Sequence, residues 1–362
     1  MSAPARTRRE HAAERSASGA MLRPIVPSFD DSESECDSVV PTRPDFYWLV
    51  ERVAHRLRMG RGRRPPLGPQ NPILAAVSDQ ESTSPQPADP RVVAANQKVH
   101  SKLAGQYNET EPHFRPENQA KVRRRLETLA AAAPAKERML DLGCGTGFLL
   151  NLSHDLFDRV DGIDATQAML DRVDLSPGNI TVQQGVVEDL PFEDNTFDLV
   201  TAYSFLDHLA DHVAVLREAF RVLKPGGKLY VDLVPNRSFW NEVYAAATAD
   251  GHPFDAIVER EINELVNHEQ KLQDQFGIDP VDWQFTEPAK SEGKGFDAIE
   301  LASQTNGVGF NSHIEFEWYL GQAVAMHGTS MEAAQLIDEH LHRLLPVSAP
   351  LFKYLVLTAT KP

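Results

Sequence analysis

Short runs rich in apolar residues recur in the middle of the chain. Met139–Leu142, Arg159–Asp164, Ile180–Gly185, Phe197–Tyr203 and Lys228–Val234 are such runs and read as strands. The apolar residues before Asp141 suit a strand covered on both faces. Between them, helical spacing or cap signals run over 148–156, 165–171 and 213–223. Strand alternating with helix predicts an α/β protein, a mostly parallel sheet with helices on both faces. Lys224-Pro225-Gly226-Gly227 predicts a turn between the last of these helices and the strand 228–234.

Beyond Val234 the pattern changes. Residues 236–292 interrupt the alternation and predict a helical cap. Within it Phe254–Phe276 carries an apolar stripe at Ile257, Ile262, Leu265, Val266 and Leu272. The aromatics Phe239, Trp240, Tyr244, Trp283 and Phe285 either line a pocket or pack the cap down. Helix is then predicted over 296–305 and 331–344. Ile314, Phe316 and Trp318 alternate with Glu315, Glu317 and Tyr319, a two-faced strand over 313–319, and 354–360 reads as a closing strand. Upstream, two helix signals flank a loop at Asn108–Pro116, so the folded domain is expected over 91–362. Residues 1–90 are dominated by Ser, Pro, Ala, Arg and acids and predict a long disordered extension. One island in it, 44–59, places Phe46, Leu49, Val50, Val53 and Leu57 on one helical face. That helix packs on its own domain or docks on a partner.

The chemistry concentrates where the first strand ends. In Asp141-Leu142-Gly143-Cys144-Gly145-Thr146-Gly147, the glycines let the backbone turn sharply and approach a ligand. The following helix aims unpaired N–H groups at the same point. A glycine turn alone fits NAD, FAD, S-adenosylmethionine or a tight bend, but G-x-G-x-G is not the dinucleotide spacing G-x-G-x-x-G. The run LDLGCGTG, followed in order by GIDAT, VEDLPFEDNTFDLV and RVLKPGG, resembles the class I S-adenosylmethionine-dependent methyltransferases. The resemblance covers roughly residues 96–235. It points to the group that includes ubiquinone- and menaquinone-biosynthesis types and natural-product small-molecule methyltransferases, and to a Rossmann-like sheet.

Several residue roles follow from the resemblance. It implies S-adenosylmethionine as cofactor, held by Gly143, Gly145 and Gly147, with Asp141 near the amino end of the ligand. Asp164 ends the second strand, where a carboxylate can accept from both ribose hydroxyls; its other reading is a helix N-cap. Ala165 follows it. Many relatives carry Gly-Asp-Ala before Leu-Pro-Phe and meet the adenine amino group with that Asp. This chain has Val186 there, so the Val187 N–H and the Glu188 carboxylate are the candidates. Tyr203 should face the methyl group from the end of the fourth strand. Tyr107 matches the tyrosine of an A-x-x-Y segment that lies over the cofactor, and reads equally as a half-buried aromatic. His208 is a general base or a brace for the helix start, and His113 a surface loop histidine or a substrate contact. His208, His113 and Tyr107 are therefore the candidate catalytic residues. The expected reaction is methyl transfer to a small-molecule acceptor. A protein or RNA methyltransferase recruited through residues 1–90, and a binding module without catalysis, stand as alternatives.

Bulk composition narrows this little further. The net charge is −16, which does not suit nucleic-acid binding by bulk electrostatics, and the Asp/Asn-Pro-Pro-Tyr motif of nucleobase methylation is missing, so DNA is not expected as a partner. Only Cys36 and Cys144 occur, consistent with a reducing, cytoplasmic setting. Cys144 reads as a small residue in a tight turn. No apolar run approaches the ~20 residues of a transmembrane helix, no zinc-type Cys/His spacing appears, and the sequence sets no oligomeric state.

Overall fold

Seven strands form one sheet in the order β3-β2-β1-β4-β5-β7-β6. They are β1 Arg138–Leu142, β2 Arg159–Asp164, β3 Ile180–Gln184, β4 Phe197–Tyr203, β5 Leu223–Pro235, β6 Asn311–Tyr319 and β7 Phe352–Thr360. The computed structural model describes residues 88–249, 256–319 and 330–362. The expected helix at 44–59, and nearly all of the expected disordered extension, lie outside the described residues. β1 through β5 are parallel neighbours. β7 is antiparallel to both β5 and β6 and lies between them. The Rossmann-like α/β architecture is thus present. Strand order reverses between β1 and β4, so a crevice opens at their carboxyl ends, where open α/β sheets bind ligands.

The helices are α1 Pro90–Leu103, α2 Tyr107–Thr110, α3 Pro116–Ala132, α4 Phe148–Ser153, α5 Gln167–Leu170 and α6 His212–Val222. After β5 come α7 Arg237–Thr248, α8 Ala256–Phe276, α9 Pro280–Thr286, α10 Pro288–Gly293, α11 Ala298–Val308 and, after β6, α12 Met331–Arg343. α3 buries Val122, Leu126 and Ala130 in the core formed with Met139, Leu149, Val160 and Leu199. α6 starts where Asp211 accepts from the N–H groups of Val213 and Ala214, both at 3.0 Å, satisfying donors that a helix start leaves open.

The segment between β5 and α11 is helical, as its pattern predicts. Phe239, Trp240 and Val243 of α7 bury against Ile262 of α8. Trp283 of α9 and Ile278 bury against Val99 and Leu103 of α1. The aromatic residues Phe239, Trp240, Tyr244 and Trp283 are therefore packing residues. The predicted turn at Pro225-Gly226-Gly227 is a correction: it lies within β5. Phe197 pairs with Leu223 and Leu199 with Lys228, so the extra β5 residues loop out without ending the strand. Gly226 N donates to Lys361 O at 2.8 Å and Lys361 N to Gly227 O at 3.0 Å, which ties the loop to the end of β7.

Asp198 lies near the amino end of the central strand β4, away from the crevice at the carboxyl ends. Its side chain is 0% exposed and meets Lys224 Nζ at 3.0 Å. It also accepts from Glu137 N at 3.1 Å and Arg138 N at 2.9 Å. Asp198→Ala would leave these donors short of an acceptor in a dry site, so we expect a stability loss of roughly 2–4 kcal/mol. Urea unfolding measures it; a loss under about 1 kcal/mol would mean that water replaces the carboxylate.

His342 ties α12 to β6. Nδ1 faces Asp338 O at 2.8 Å and Nε2 faces Phe316 O at 3.0 Å. Both nitrogens must donate, so the ring is held as imidazolium. The Asp338 carboxylate, 3.4 Å from Nδ1, is the main cause that raises its pKa from 6.5 to about 9, and the two carbonyls add to it against burial. A raised folded pKa stabilises fully below 6.5 and loses that stabilisation as pH rises through about 9. The ring is partly exposed, so the effect is modest. Thermal midpoints should fall between pH 6.5 and 9.5, and His342→Gln should flatten that slope; parallel slopes would exclude it as the source.

Candidate functional site

The loop after β1 takes its shape from left-handed glycines. Gly143, Gly145 and Gly147 have φ of +65°, +51° and +88°, a region that side chains resist. The turn is pinned by Cys144 N to Ile163 O at 3.0 Å and Gly147 N to Cys144 O at 2.8 Å. Cys144 is buried, and burial pushes its thiol well above the usual range, which fits a packing role.

Asp164 organises the loop from the neighbouring strand. Its Oδ2 accepts from Gly145 N at 2.9 Å and its Oδ1 from Thr166 N at 2.8 Å. Each carboxylate oxygen has about two acceptor positions, so the two backbone bonds do not exhaust the group, which lines the crevice. Burial raises its pKa, against the two backbone bonds that lower it. Ala165 O is fixed by Gln97 Nε2 and Gln184 Nε2, both at 2.9 Å.

The crevice is lined by Gly143, Gly145, Asp164, Ala165, Val187 and Glu188 together with Tyr107, Tyr203 and His208. Val186 lines it as well, so the residue that departs from the family pattern touches the site. Glu188 is buried, and burial raises its carboxyl. Phe205 covers the loop: a methyl group at Gly143 would lie 2.1 Å from Phe205 Cδ2.

Three expected site residues sit behind the crevice wall. Asp141 is buried and accepts from Thr201 Oγ1 at 2.7 Å. Burial, with help from Asp164 and against the Thr201 bond, pushes it up to about 7. Gly147 begins α4, where a methyl group would lie 2.9 Å from Val173 Cγ1. His113 corrects the surface-loop expectation: it is 6% exposed. Its ring packs 4.6 Å from Phe114, 4.7 Å from Phe148 and 5.5 Å from Tyr203, centroid to centroid. Burial lowers its pKa to about 4, so it is neutral.

His208 is the crevice residue with the best-defined proton. Nδ1 lies 3.0 Å from Asn96 Oδ1 and 2.9 Å from Thr286 O. Both are acceptors, because the Asn96 amide nitrogen donates to Val92 O at 3.0 Å. The proton of the neutral ring therefore sits on Nδ1 and the Nε2 lone pair is free. Tyr107 is held as neutral phenol by burial, which raises it well above 10. It suits donation and not proton abstraction.

Sequence reading missed Asn96 and His100. Both line the crevice, and His100 stacks edge-on at 5.1 Å from His208. Burial and the neighbouring His208 lower His100 to about 4. They lie one turn apart on α1, beside its apolar stripe Val92, Ala95, Val99 and Leu103, and Val92 lines the crevice with them. A polar pair at that spacing was the available signal.

A family model described as Methyltransferase domain matches residues 140–231, which hold the glycine loop, Asp164 and the strand ends just described. The chain is 34% identical over 99 residues to a probable S-adenosylmethionine-dependent methyltransferase of Mycolicibacterium smegmatis, covering 27% of this chain and 38% of that protein. It is 43% identical over 101 residues to a demethylmenaquinone methyltransferase of Symbiobacterium thermophilum, 25% of this chain and 40% of that protein. It thus spans well under half the length of those two relatives. To a ubiquinone biosynthesis O-methyltransferase of Albidiferax ferrireducens it is 33% identical over 175 residues, 46% of this chain and 67% of that protein. With the G-x-G-x-G loop, the acid after β2 and this likeness in agreement, the chain belongs to the class I S-adenosylmethionine-dependent methyltransferases.

Proposed function

We propose that the protein transfers a methyl group from S-adenosylmethionine to a small organic acceptor that enters beside His208. The observation that carries this is the pairing of two chemistries in one crevice: the Asp164 carboxylate, suited to a ribose, with the buried Glu188, and a free imidazole lone pair on His208 among Tyr107, Tyr203 and His100. Relatives named for demethylmenaquinone and for ubiquinone biosynthesis support an organic acceptor of this size. When bound, the cofactor supplies an already activated methyl on a sulfonium.

The residues then have positioning tasks. Asp164 fixes the ribose end, Gly143 and Gly145 let the backbone come close, and Tyr203 and Phe205 shape the path to the acceptor. Alignment of this sort can lower a bimolecular barrier by about 7–11 kcal/mol. His208 Nε2 is placed to hold the acceptor's polar atom or take its proton. No described helix is long and apolar enough to cross a membrane, and we propose a soluble, cytoplasmic setting.

The test incubates full-length protein with methyl-tritiated cofactor and a cell extract divided by size. Label in the small-molecule fraction that falls at least tenfold with Asp164→Ala supports the reading. Label confined to protein or RNA, and lost on deletion of residues 1–87, would overturn it in favour of a macromolecular acceptor.

A further inference from the structure

We infer that Asp207, His208 and Glu287 form a binding site for one divalent transition-metal ion in the crevice wall. Each offers a ligand atom, and these atoms lie within 4.8 Å of one another. The three come from two distant stretches of chain: Asp207 and His208 from the turn after β4, Glu287 from the junction of α9 and α10.

Two further observations point to a ligand. The Asp207 side chain is 6% exposed, yet its Oδ1 has no hydrogen-bond partner. A buried carboxylate oxygen without a donor is costly unless something cationic meets it. His208 is set up the way metal-bound histidines are. Nδ1–H is committed to Thr286 O and Asn96 Oδ1, which fixes the tautomer and leaves Nε2 as a lone-pair donor. No described residue hydrogen-bonds Nε2.

The charge balance leaves room for a cation. Lys290 Nζ bridges Glu287 Oε2 at 2.8 Å and Glu269 Oε1 at 2.7 Å. It anchors Glu287 but is one ammonium against three carboxylates, Asp207, Glu269 and Glu287. One imidazole and two carboxylates suit Zn²⁺ or Mn²⁺, with bonds of about 2.0–2.2 Å in the zinc case, so the cluster must contract slightly around the ion. Three protein ligands leave a position open, as in catalytic zinc sites. Of the three ligands His208 lines the crevice and Asp207 and Glu287 do not, so the ion would sit in the crevice wall beside His208. With the ion bound, the Nε2 lone pair is a ligand and no longer meets the acceptor directly; a hydroxyl or carbonyl oxygen held by the ion would be polarised and oriented in its place, which selects acceptors with an oxygen near the reacting atom. The role toward the acceptor rests on the methyltransferase reading; the binding of the ion does not.

The experiment uses full-length protein stripped with EDTA and titrated with MnCl₂, free Mn²⁺ being read by its paramagnetic resonance signal. One tightly held Mn²⁺ per chain is expected, with affinity falling at least tenfold in Asp207→Asn and in His208→Ala. Asp164→Ala, outside the cluster, should bind Mn²⁺ as the wild type does. Nitrogen coupling in the Mn²⁺ spectrum should disappear in His208→Ala. Failure to bind one equivalent, or unchanged affinity in both cluster variants, would overturn the inference. Cofactor titration of the same stripped protein separates the two readings, since cofactor binding without Mn²⁺ binding would leave the methyltransferase standing and remove the metal site.

Discussion

Asp164→Ala should weaken S-adenosylmethionine binding on the order of a hundredfold to a thousandfold, with the demethylated product affected alike. The carboxylate accepts from Gly145 N and Thr166 N, and in the proposed complex its remaining acceptor positions meet the two ribose hydroxyls. Hydrogen bonds to a charged group contribute about 1.5–3 kcal/mol each, and about 1.4 kcal/mol is a factor of ten. Two lost bonds at the lower half of that range give the stated loss. The substitution also frees Gly145 N, which loosens the loop, so both effects run in one direction. Asp164→Asn separates them from a simple size effect. Its NH₂ would face an N–H of Gly145 or Thr166, so the amide should rescue little of the loss. Calorimetric titration of the three proteins measures this. Wild-type affinity in Asp164→Asn would show that the carboxylate charge and its second acceptor are dispensable.

Gly143→Ala should rank next, and it acts on both the fold and the ligand. The residue has φ of +65°, which costs a residue with a side chain about 1–2 kcal/mol. The new methyl would also lie 2.1 Å from Cδ2 and 2.4 Å from Cε2 of Phe205. That ring must leave its place, and the crevice is the open space beside it. We expect a stability loss of roughly 2 kcal/mol or more and at least a tenfold loss of cofactor affinity. Pairing the change with Phe205→Ala should recover the part due to the ring and leave the backbone strain. Thermal unfolding and titration of both variants decide it. If Gly143→Ala binds and melts as the wild type does, the ring's position over the loop carries no constraint.

How far the sequence disclosed this site depends on the distance over which each contact forms. β2 and β4 match their expected bounds because each run has a buried apolar centre, Val160 with Ile163 and Leu199 with Val200, and stops at a half-buried residue. Asp164 was legible because a single strand and its following turn place it. His208 was legible as a candidate, but its tautomer was not: that is set by Thr286, 78 residues away, and by Asn96 on the first helix. His113 looked like an exposed loop residue because its neighbours Glu111, Pro112 and Arg115 are loop-forming. It is buried because Phe148 and Tyr203, from two other elements, enclose it. The Pro225-Gly226-Gly227 segment misled for a similar reason. Local chemistry predicts a turn and does supply one, but pairing with β4 on one side and β7 on the other carries the strand through it.

The position of β7 has a consequence for synthesis. The strand is the latest of the seven in chain order, yet it lies between β5 and β6. Until Phe352–Thr360 has been made, β5 presents an open edge and β6 has nothing to pair with. The parallel part of the sheet, with the glycine loop and Asp164, can form early from contacts between neighbouring elements. Closure waits for the last strand. A ribosome that stalls before Phe352 would therefore hold a nascent chain whose cofactor crevice is assembled but whose sheet still exposes two adhesive edges, the form most exposed to aggregation.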